Sequence, residues 1–305
     1  MTQKRAEFRK SRQAYDTEWN SHTGVLKVHG ISDFDPAQTF ECGQCFRWER
    51  EPDGSYTGTA GERTVNLQMR DGILRMENVT EEDFDDFWFD YLDFGRDYGA
   101  VKTILSEKDP VMRRAVEFGS GIRLLHQDPW ETVISFIISQ NSNIRRISRC
   151  IDSLCAEFGE PLGVCRGKMR FSFPDPCRLA VLEPEDLAVC RLGYRDKYVI
   201  ETARAVAADG GRSLAALREA DYGEALCSVR KFCGVGPKVA DCVLLFGLLK
   251  YESFPLDVWM KRIMSRLYGF ELRDTKGMSE HAARHFGNLS GFAQQYLFYY
   301  ARENL

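Results

Sequence analysis

The sequence lacks any uninterrupted run of about eighteen apolar residues, so we expect no helix that spans a membrane. Its N-terminus, M-T-Q-K-R-A-E-F-R-K, is charged and lacks the apolar core of a signal peptide, which predicts an intracellular protein. The sequence also has no internal repeat and no low-complexity tract. Its 305 residues are enough for one large domain or for two or three smaller ones.

The ten cysteines lack the spacing of a metal site or a disulfide framework. Cys42 and Cys45 form a C-x-x-C pair, and no second close pair accompanies it. The last cysteine is Cys242, so the C-terminal region carries no iron–sulfur motif. We therefore expect reduced, mostly buried thiols and no bound metal.

The net charge of −4 argues weakly against a nucleic acid as partner, but the charge is unevenly distributed. Residues 71–99 contain ten acidic residues against two arginines, whereas residues 141–270 contain twenty basic residues against sixteen acidic ones. The second region can therefore present a basic face while the first repels a polyanion. By charge alone, a solvated mixed-charge surface remains the alternative.

The N-terminal part of the chain has the pattern of an antiparallel sheet. Apolar and polar residues alternate over 24–30, 45–49, 55–59, 63–69 and 73–76. Asp53-Gly54 and Asp71-Gly72 are strong turn signals between these segments. Thr80 then caps a helix, and a further helix is expected around residues 101–118. The first ~20 residues are polar and are expected to be flexible.

Beyond Gly121 the pattern is almost entirely helical. Asp128, Pro129 and Glu131 form a helix start with a capping box, and residues 130–140 are apolar nearly all round, which predicts burial. Further helices are expected at 144–158, 185–190, 196–209, 213–219, 222–232, 237–249, 257–267, 279–286 and 291–302, with loops at 159–184 and 270–278. The predicted fold class is α+β, with a twisted antiparallel β domain at 1–123 and an all-helical region at 124–305.

The most specific stretch is F-C-G-V-G-P-K-V-A-D, residues 232–241, which predicts a helix–hairpin–helix at 224–249. Gly234 and Gly236 flank Val235 and permit a tight turn with positive φ, and Pro237 suits the first position of a helix. Free amides at that helix start can bind a phosphate. Lys238 lies in the same first turn, where the helix dipole favours loss of its proton.

Asp257 follows Lys238 by nineteen residues, a helix plus a loop that can return it to the start of the Lys238 helix. Considered singly, Asp257 is explained as a helix cap and Lys238 as a surface lysine. Together with G-V-G-P-K between two helices, they indicate covalent chemistry on a nucleic acid.

These residues resemble the helix-hairpin-helix (HhH-GPD) DNA glycosylase superfamily, through G-V-G-P-K-V-A-D-C and F-P-L-D-V. Further stretches are similar to its 8-oxoguanine DNA glycosylases: C-G-Q-C-F-R-W at 42–48, S-Q-N-S-N-I-R-R at 139–146, L-G-Y-R-D-K-Y at 192–198 and G-F-A-Q-Q-Y-L-F at 291–298. The resemblance runs from about residue 24 to the end, in the family's order of elements. It implies a two-lobed helical glycosylase region after the sheet domain.

The resemblance also implies a base pocket. Gly43 would offer its carbonyl to the N7–H that 8-oxoguanine has and guanine lacks. Gln294 and Phe298 lie at i and i+4 on one helix, so Phe298 can stack on a flipped base while Gln294 bonds its edge. Cys242 would form the opposite wall, and Pro255 also belongs to the pocket. An ordinary surface and core pair is the alternative for Gln294 and Phe298.

Other matches imply contacts with DNA. Asn141 matches the residue that enters the vacated space, Arg146 and Arg195 match the arginines that read the orphaned cytosine, and Tyr194 matches the wedge. Nonspecific contact with the DNA backbone is the alternative for the arginines. Trp259 stands where the family often has a histidine that faces a DNA phosphate, and its indole N–H can replace only part of that contact. Gly234, Val235 and Gly236 would bind the DNA backbone.

The implied reaction is excision of 8-oxoguanine, preferentially opposite cytosine, with lysine as nucleophile and Schiff-base former and Asp257 as stabiliser of positive charge on the sugar. β-Elimination would follow. No cofactor is required for this reaction. The implied partner is damaged double-stranded DNA, and neither a membrane nor a nucleotide cofactor is expected. The protein is expected to act as a monomer, in the cytoplasm and nucleoid if the source is bacterial. Two alternatives remain: a related glycosylase with another base specificity, and a noncatalytic DNA-binding module.

Overall fold

The computed structural model describes residues 15–304, and within them six strands form one antiparallel sheet. The strands are β1 (Asp16–Asn20), β2 (Val25–His29), β3 (Trp48–Arg50), β4 (Tyr56–Ala60), β5 (Arg63–Arg70) and β6 (Ile73–Glu77). Their order across the sheet is β1-β2-β6-β5-β4-β3. The predicted α+β class, with an N-terminal antiparallel sheet followed by a helical region, is confirmed.

The alternating pattern determines the register of the sheet. Leu26 of β2 and Leu67 of β5 both pair with Met76 of β6, and all three side chains are fully buried. A shift by one residue would turn this apolar row to solvent. The β5–β6 connection is Asp71-Gly72, and both residues have positive φ, as a tight hairpin turn requires.

Strand β1 departs from the expectation that the first ~20 residues are flexible. Asp16–Asn20 pairs along its whole length with β2, from Asp16 opposite His29 to Asn20 opposite Val25. Its side chains are mostly exposed, so backbone pairing on a sheet edge, which a polar sequence does not reveal, defines this segment. For residues 1–14 the expectation lies outside the described residues.

An acidic helix covers one face of the sheet. Helix α2 (Glu81–Asp83) continues through a π-helical turn (Phe84–Trp88) into α3 (Phe89–Tyr91), after a short α1 (Pro36–Phe40) that the sequence pattern missed. Thr80 and Asp83 form a reciprocal capping box. Phe84 and Trp88 are fully buried against the sheet, so the exposed acids of this helix are the polar side of an amphipathic element.

The helical region is larger than the sheet and has its own core. Its α-helices are α4 (Tyr98–Ser106), α5 (Pro110–Phe118), α6 (Pro129–Ile138), α7 (Ile144–Phe158), α8 (Pro176–Ala180), α9 (Asp196–Ala207), α10 (Arg212–Ala216), α11 (Tyr222–Val229), α12 (Pro237–Cys242), α13 (Val258–Tyr268), α14 (Thr275–Phe286) and α15 (Ser290–Asn304). Nine of the ten residues of α6 are buried, as its all-round apolar pattern predicts. Within residues 15–304, no helix is long and apolar enough to cross a membrane.

The structure has two helices where the sequence pattern predicted a single helix at 101–118. Asp109 caps α5 through the amide of Met112, and Pro110 occupies the first helical position, so the chain forms two helices. Buried residues of both, including Leu105 and Met112, belong to the core of the helical region. The domain boundary at 123/124 stays a prediction, and these helices pack across it.

The segment 159–184 is more regular than the expected loop. It contains a β-hairpin, β7 (Pro161–Cys165) and β8 (Lys168–Phe171), followed by α8. Ion pairs attach this β7–β8 hairpin to the sheet: Arg166 pairs with Asp53 and Glu77, and Lys168 pairs with Glu49. Its strands are therefore supported by partners that are distant in sequence.

A buried ion pair joins the two regions more centrally. Arg47 Nη1 lies 3.2 Å from Glu131 Oε2, and both side chains are largely buried. Asp128 caps α6 through the amide of Glu131, but the Glu131 carboxylate pairs with Arg47, so the expected capping box is not formed. Arg47 also donates to the carbonyl of Phe171 in the β7–β8 hairpin.

Candidate active site

One cavity brings together five of the residues predicted from sequence. It has a volume of about 540 Å³, and its lining includes Gly43, Lys238, Asp257, Trp259 and Phe298. These residues come from four separate parts of the chain, namely the segment before β3, α12, the start of α13 and α15. Their convergence makes this cavity the candidate active site.

The predicted hairpin lies between α11 and α12, and its two glycines differ. Gly234 has φ +76°, and a Cβ on it would lie 2.6 Å from the ring of Tyr198, so only glycine fits there. Gly236 has φ −80° and is the N-cap of α12, which corrects the expectation of a positive φ at this residue. Val235 between them is buried, and Pro237 occupies the first turn as expected.

Open space surrounds the Cα of Gly236. Apart from its two chain neighbours, no residue within 15–304 has an atom within 4 Å of a Cβ built there. Side chains therefore do not cover the start of α12, where amides without intrahelical partners point outward. Helix α12 continues through a π-helical turn (Val243–Gly247), which is fully buried.

The amine of Lys238 lies against the C-terminal end of α6. Its Nζ lies 3.4 Å from Ser139 Oγ and 5.1 Å from the ring centroid of Phe136. The Phe136 ring in turn stacks on Phe246 at 5.4 Å. Both cavity-lining partners of the amine belong to α6 or follow it directly, so the buried α6 positions the lysine.

Asp257 reaches the cavity as the N-cap of α13. Its carboxylate accepts a hydrogen bond from the amide of Met260 at 2.7 Å. The preceding loop is fixed to neighbouring elements: Lys250 Nζ donates to the carbonyl of Arg218 at 2.7 Å, and Ser253 Oγ donates to the carbonyl of Asp241 at 3.0 Å. The carboxylate of Asp257 therefore caps α13, and the same residue lines the cavity.

Asp241 is a residue that the sequence analysis did not single out. It lies in α12, one turn after Lys238, and burial raises the pKa of its carboxyl to about 7, although a hydrogen bond from Ser253 opposes that shift. Because Ser253 Oγ lies 3.4 Å from its Oδ1, Asp241 joins the lysine helix to the loop that carries Asp257.

The base-pocket residues occupy one side of the cavity and the core beside it. Gly43 has φ +84°, and Phe298 is half-buried beside it. Gln294, one turn earlier on α15, is buried, and its Oε1 has no hydrogen-bond partner within residues 15–304. Cys242 and Pro255 are buried as well, and burial raises the pKa of the Cys242 thiol to about 11. Cys242, Pro255 and Gln294 do not line the cavity itself.

The segment after α6 carries a polar turn. Asn141 has φ +48° and donates through Nδ2 to the hydroxyl of Tyr194 at 3.1 Å. Tyr194 is about half exposed, and its ring lies under the guanidinium of Arg195 at 4.5 Å. The predicted void-filling residue and the predicted wedge are therefore adjacent on the surface.

The two arginines predicted to read a cytosine have different environments. Arg146 is exposed on the first turn of α7. Arg195 is 4% exposed and donates to the carbonyls of Gln140, Leu192 and Asn141. In this structure the guanidinium of Arg195 holds the Asn141 turn through these hydrogen bonds. Its role as a base reader stays a prediction.

Exposed apolar side chains surround the mouth of the cavity. Trp259 is 54% exposed and Ile144 is 43% exposed, and both line the cavity. The guanidinium of Arg262 lies 5.4 Å from the Trp259 ring. Aromatic faces beside cations are suited to nucleotides. Sequence reasoning assigned no role to several other lining residues: Phe46, Phe136, Ser139, Asn143, Arg145, Ile147 and Ile263. Ser139, Asn143 and Arg145 lie in the stretch S-Q-N-S-N-I-R-R, which is the signal that could have found them.

Metal ligands are not gathered in the described part of the chain. No group of three or more His, Cys, Asp or Glu side chains within residues 15–304 could hold a metal ion. The cysteines are free thiols, and most are buried. The groups at the cavity that can take part in chemistry include the amine of Lys238, the carboxylate of Asp257, the hydroxyls of Ser139 and Ser142 and the guanidinium of Arg145.

Comparisons with known proteins give a consistent result. Residues 28–133 match the family model of the 8-oxoguanine DNA glycosylase N-terminal domain, and residues 134–288 match that of the HhH-GPD superfamily base excision DNA repair proteins. The probable N-glycosylase/DNA lyase of Methanothermobacter thermautotrophicus is 30% identical over 90% of this chain and 95% of its own. The N-glycosylase/DNA lyase OGG1 of Arabidopsis thaliana is 30% identical over 85% of this chain and 75% of its own.

Solved structures with the same fold include DNA complexes. The structure of MBOgg1 with a low affinity DNA ligand has a TM-score of 0.90 at 45% identity, covering 95% of this chain and 99% of that one. The Clostridium acetobutylicum 8-oxoguanine glycosylase/lyase, in complex with double-stranded DNA containing cytosine opposite 8-oxoguanine, has a TM-score of 0.89 at 38% identity, covering 96% and 99%.

Proposed function

Because the chain belongs to the HhH-GPD superfamily of base excision DNA repair proteins, we propose that it flips 8-oxoguanine out of duplex DNA and excises it through a Schiff base on Lys238. The chain is a DNA N-glycosylase and AP lyase of base excision repair, with the N-terminal domain of the 8-oxoguanine DNA glycosylases. The single observation that carries the proposed chemistry is the meeting of Lys238 and Asp257 in one cavity with Gly43 and Phe298.

Binding begins with the DNA backbone. The uncovered start of α12 offers amides to a phosphate, and Arg145 and Arg146 at the start of α7 add positive charge. A base inside a duplex cannot reach Lys238, so it must leave the stack. Asn141, on an exposed turn beside Tyr194, would enter the vacated space.

The flipped base would occupy the side of the cavity that Gly43 and Phe298 line. Phe298 stacks on its face, and Gln294 supplies an amide whose oxygen is buried without a partner in residues 15–304. An unsatisfied buried acceptor is costly, and a base edge that donates to it would remove that cost. The carbonyl of Gly43 would accept the N7–H that distinguishes 8-oxoguanine from guanine.

The covalent step uses the amine of Lys238 in its neutral form. The nitrogen lone pair forms a bond to C1′ as the bond between C1′ and N9 of the base breaks, and the base leaves with that electron pair and takes up a proton. Ring opening of the sugar then gives a Schiff base between C1′ and Nζ. Loss of a C2′ proton expels the 3′-phosphate by β-elimination and breaks the strand.

Asp257 would act through its charge. Positive charge develops on the sugar as the glycosidic bond breaks, and a carboxylate held in place by its hydrogen bond from Met260 can stabilise that charge without reorganising. The same carboxylate caps α13, so its position does not depend on the substrate. A preference for cytosine opposite the lesion would come from Arg146, which is exposed beside the Asn141 turn. Action as a monomer stays a prediction.

Borohydride reduction tests this function directly. The wild-type protein is incubated with duplex DNA that contains a single 8-oxoguanine opposite cytosine, and borohydride converts a Schiff base to a stable protein–DNA adduct. We expect an adduct with the wild type, none with Lys238→Gln, and an undiminished adduct with Lys276→Gln, whose side chain is 89% exposed on α14. A wild type that binds this DNA and never gives the adduct would contradict the proposed chemistry.

The substrate choice is tested with the same assay. Duplexes that carry other damaged purines or pyrimidines in place of 8-oxoguanine address the alternative of another base specificity, and an adduct with those but not with 8-oxoguanine would favour it. Binding of damaged and undamaged DNA alike, with no cleavage of either, would favour the noncatalytic module.

A further inference from the structure

The residues that would read the lesion include a short segment, residues 42–46, which we name the reading loop. Gly43 lies in this loop, and the neighbouring Gln44 points into the protein with its side chain fully buried. The Gln44 Nε2 donates to the carbonyls of Thr39 at 2.8 Å and Arg123 at 2.7 Å, and its Oε1 accepts from the amide of Leu125 at 2.9 Å. One amide therefore bonds three backbone groups on two sides of the loop.

The segment that receives Gln44 is itself fixed. The Gln127 side chain donates back to the carbonyl of Gln44 at 2.8 Å. Arg123 is 1% exposed, and its guanidinium donates to the carbonyls of Asp33 and Asp93. Gln44 is thus bonded to backbone that has little freedom to follow a moving loop.

A second attachment lies on the other side of Gly43. The thiol of Cys42 donates to the carbonyl of Thr39 at 3.1 Å, and its sulfur accepts from Gln295 Nε2 at 3.1 Å. Gln295 is 2% exposed and is adjacent to Gln294 on α15, the helix that also carries Phe298. Gly43, with φ +84°, therefore lies between an attachment to α15 and the Gln44 network.

We propose that Gln44 is a positioning residue that fixes the carbonyl of Gly43 for lesion recognition, an inference that rests on the proposed excision of 8-oxoguanine. The lesion differs from guanine at N7 by a proton, so one carbonyl must attract N7–H and repel the N7 lone pair. Both effects require that the carbonyl stay within about 0.5 Å of its place. If the reading loop were mobile, the Gly43 carbonyl would bind N7–H of 8-oxoguanine less strongly and would also repel the N7 lone pair of guanine less strongly.

The test separates recognition from chemistry. Gln44→Met keeps the length of the side chain and removes its three hydrogen bonds to backbone groups, together with a fourth from Nε2 to the sulfur of Cys42 at 3.4 Å. We expect excision of 8-oxoguanine to fall about 10- to 100-fold, because small misplacements at a reacting site have effects of that size. Strand cleavage at a preformed abasic site needs no base reading and should stay within about threefold of the wild type. The ratio of 8-oxoguanine to guanine excision should fall as well.

Two further variants keep the result interpretable. Gln68→Met makes the same change at an amide of β5 whose one hydrogen bond within residues 15–304 goes to the carbonyl of Asp53, at 3.3 Å, and it should leave both activities unchanged. If Gln44→Met does not fold, Gln127→Met decides, because it removes only the bond to the Gln44 carbonyl. A smaller split of the same kind is then expected, of about tenfold.

Three outcomes would overturn the inference. If a folded Gln44→Met protein loses excision and abasic-site cleavage to the same extent, Gln44 supports the fold and does not position the Gly43 carbonyl. Unchanged excision by Gln44→Met, or by Gln127→Met where that variant decides, would equally contradict it. A wild type that cleaves abasic sites but leaves 8-oxoguanine in place would instead remove the proposed substrate, and the inference with it.

Discussion

The backbone of Gly43 lies against the ring of Phe298, so that a Cβ built on Gly43 would stand 3.4 Å from Cε1 of Phe298. One residue comes from the N-terminal part of the chain and the other from its last helix. The space that both residues border is therefore defined only in the folded protein.

Gly43→Ala should reduce excision more than it reduces DNA binding. The new methyl group would enter the space beside Phe298, and the backbone at φ +84° adds strain of about 1–2 kcal/mol. Gly72→Ala is the matched control, since Gly72 has φ +76° and, apart from its chain neighbours, no residue within 15–304 has an atom within 4 Å of its Cβ position. Excision rates and affinities for abasic-site DNA are measured together, and equal loss of both would exclude a pocket role for Gly43.

The two hairpin glycines should give opposite phenotypes. Gly234→Ala combines positive φ with a clash against Tyr198 and should destabilise the fold by about 1–3 kcal/mol. Gly236→Ala has neither problem and should cost less than about 1 kcal/mol, yet it places a methyl group over the uncovered amides of α12 and should weaken DNA binding. Thermal denaturation and DNA titration of both variants check this, and a loss of stability without a loss of affinity in Gly236→Ala would refute the phosphate site.

Substitutions of Arg146 and Arg195 should have different effects, one on the preference for cytosine and the other on the stability of the fold. Arg195→Met removes donors to three carbonyls beneath the Asn141 turn and should lower the stability by about 2–4 kcal/mol. Arg146→Met should leave the Tm nearly unchanged and reduce the preference for cytosine. Excision rates opposite each of the four bases provide the measurement. A fully retained cytosine preference in Arg146→Met would assign the reading to another residue.

His126 joins the sheet region to the loop that precedes Asp257. Its Nδ1 lies 3.2 Å from Asp90, its Nε2 lies 3.2 Å from Asp93, and the hydroxyl of Tyr251 is 3.2 Å from the same Nε2. Arg96 also pairs with Asp93 and donates to Tyr251. Burial alone would lower the pKa of His126, but the hydrogen bonds and charges of Asp90 and Asp93 outweigh it and raise the pKa to about 9.

The raised pKa of His126 predicts a stability that depends on pH. The folded-state value lies above the ordinary 6.5, so the stabilisation is complete below about pH 6.5 and is lost as the pH rises through 9. Its size is on the order of 3 kcal/mol. The difference in Tm between wild type and His126→Gln should therefore be largest near pH 6 and shrink towards pH 9.5. His22→Gln, at an exposed residue, serves as control, and a constant or growing difference would contradict the assignment.

Local sequence signals explain why the centre of the site could be predicted. The hairpin depends on glycine, proline and helix periodicity, and the return of Asp257 to the Lys238 helix depends on the length of one helix and one loop. Both are properties of a single stretch of chain. Gly43, Gln294 and Phe298 were placed by resemblance, since nothing in their own neighbourhoods indicates that they meet.

Long-range partners explain what the sequence did not reveal. The β7–β8 hairpin lies in a segment rich in proline and glycine, and Arg166 and Lys168 gain their partners from strands that are about a hundred residues earlier. Arg195 is buried, and its guanidinium donates to the carbonyl of Gln140, which lies 55 residues earlier in the chain. The π-helical turn of Val243–Gly247 follows no composition rule, and the α5 cap at Asp109 was overlooked because the helical pattern continues across it.

The β7–β8 hairpin also changes how the charge of the chain acts on a polyanion. Arg166, Lys168 and Arg170 count among the twenty basic residues of 141–270, yet each is paired with a carboxylate of the sheet. Only cations that reach phosphates release counterions from DNA. We therefore expect Arg166, Lys168 and Arg170 to add little to the slope of log affinity against log salt concentration. Their ion pairs hold the β7–β8 hairpin on the sheet instead.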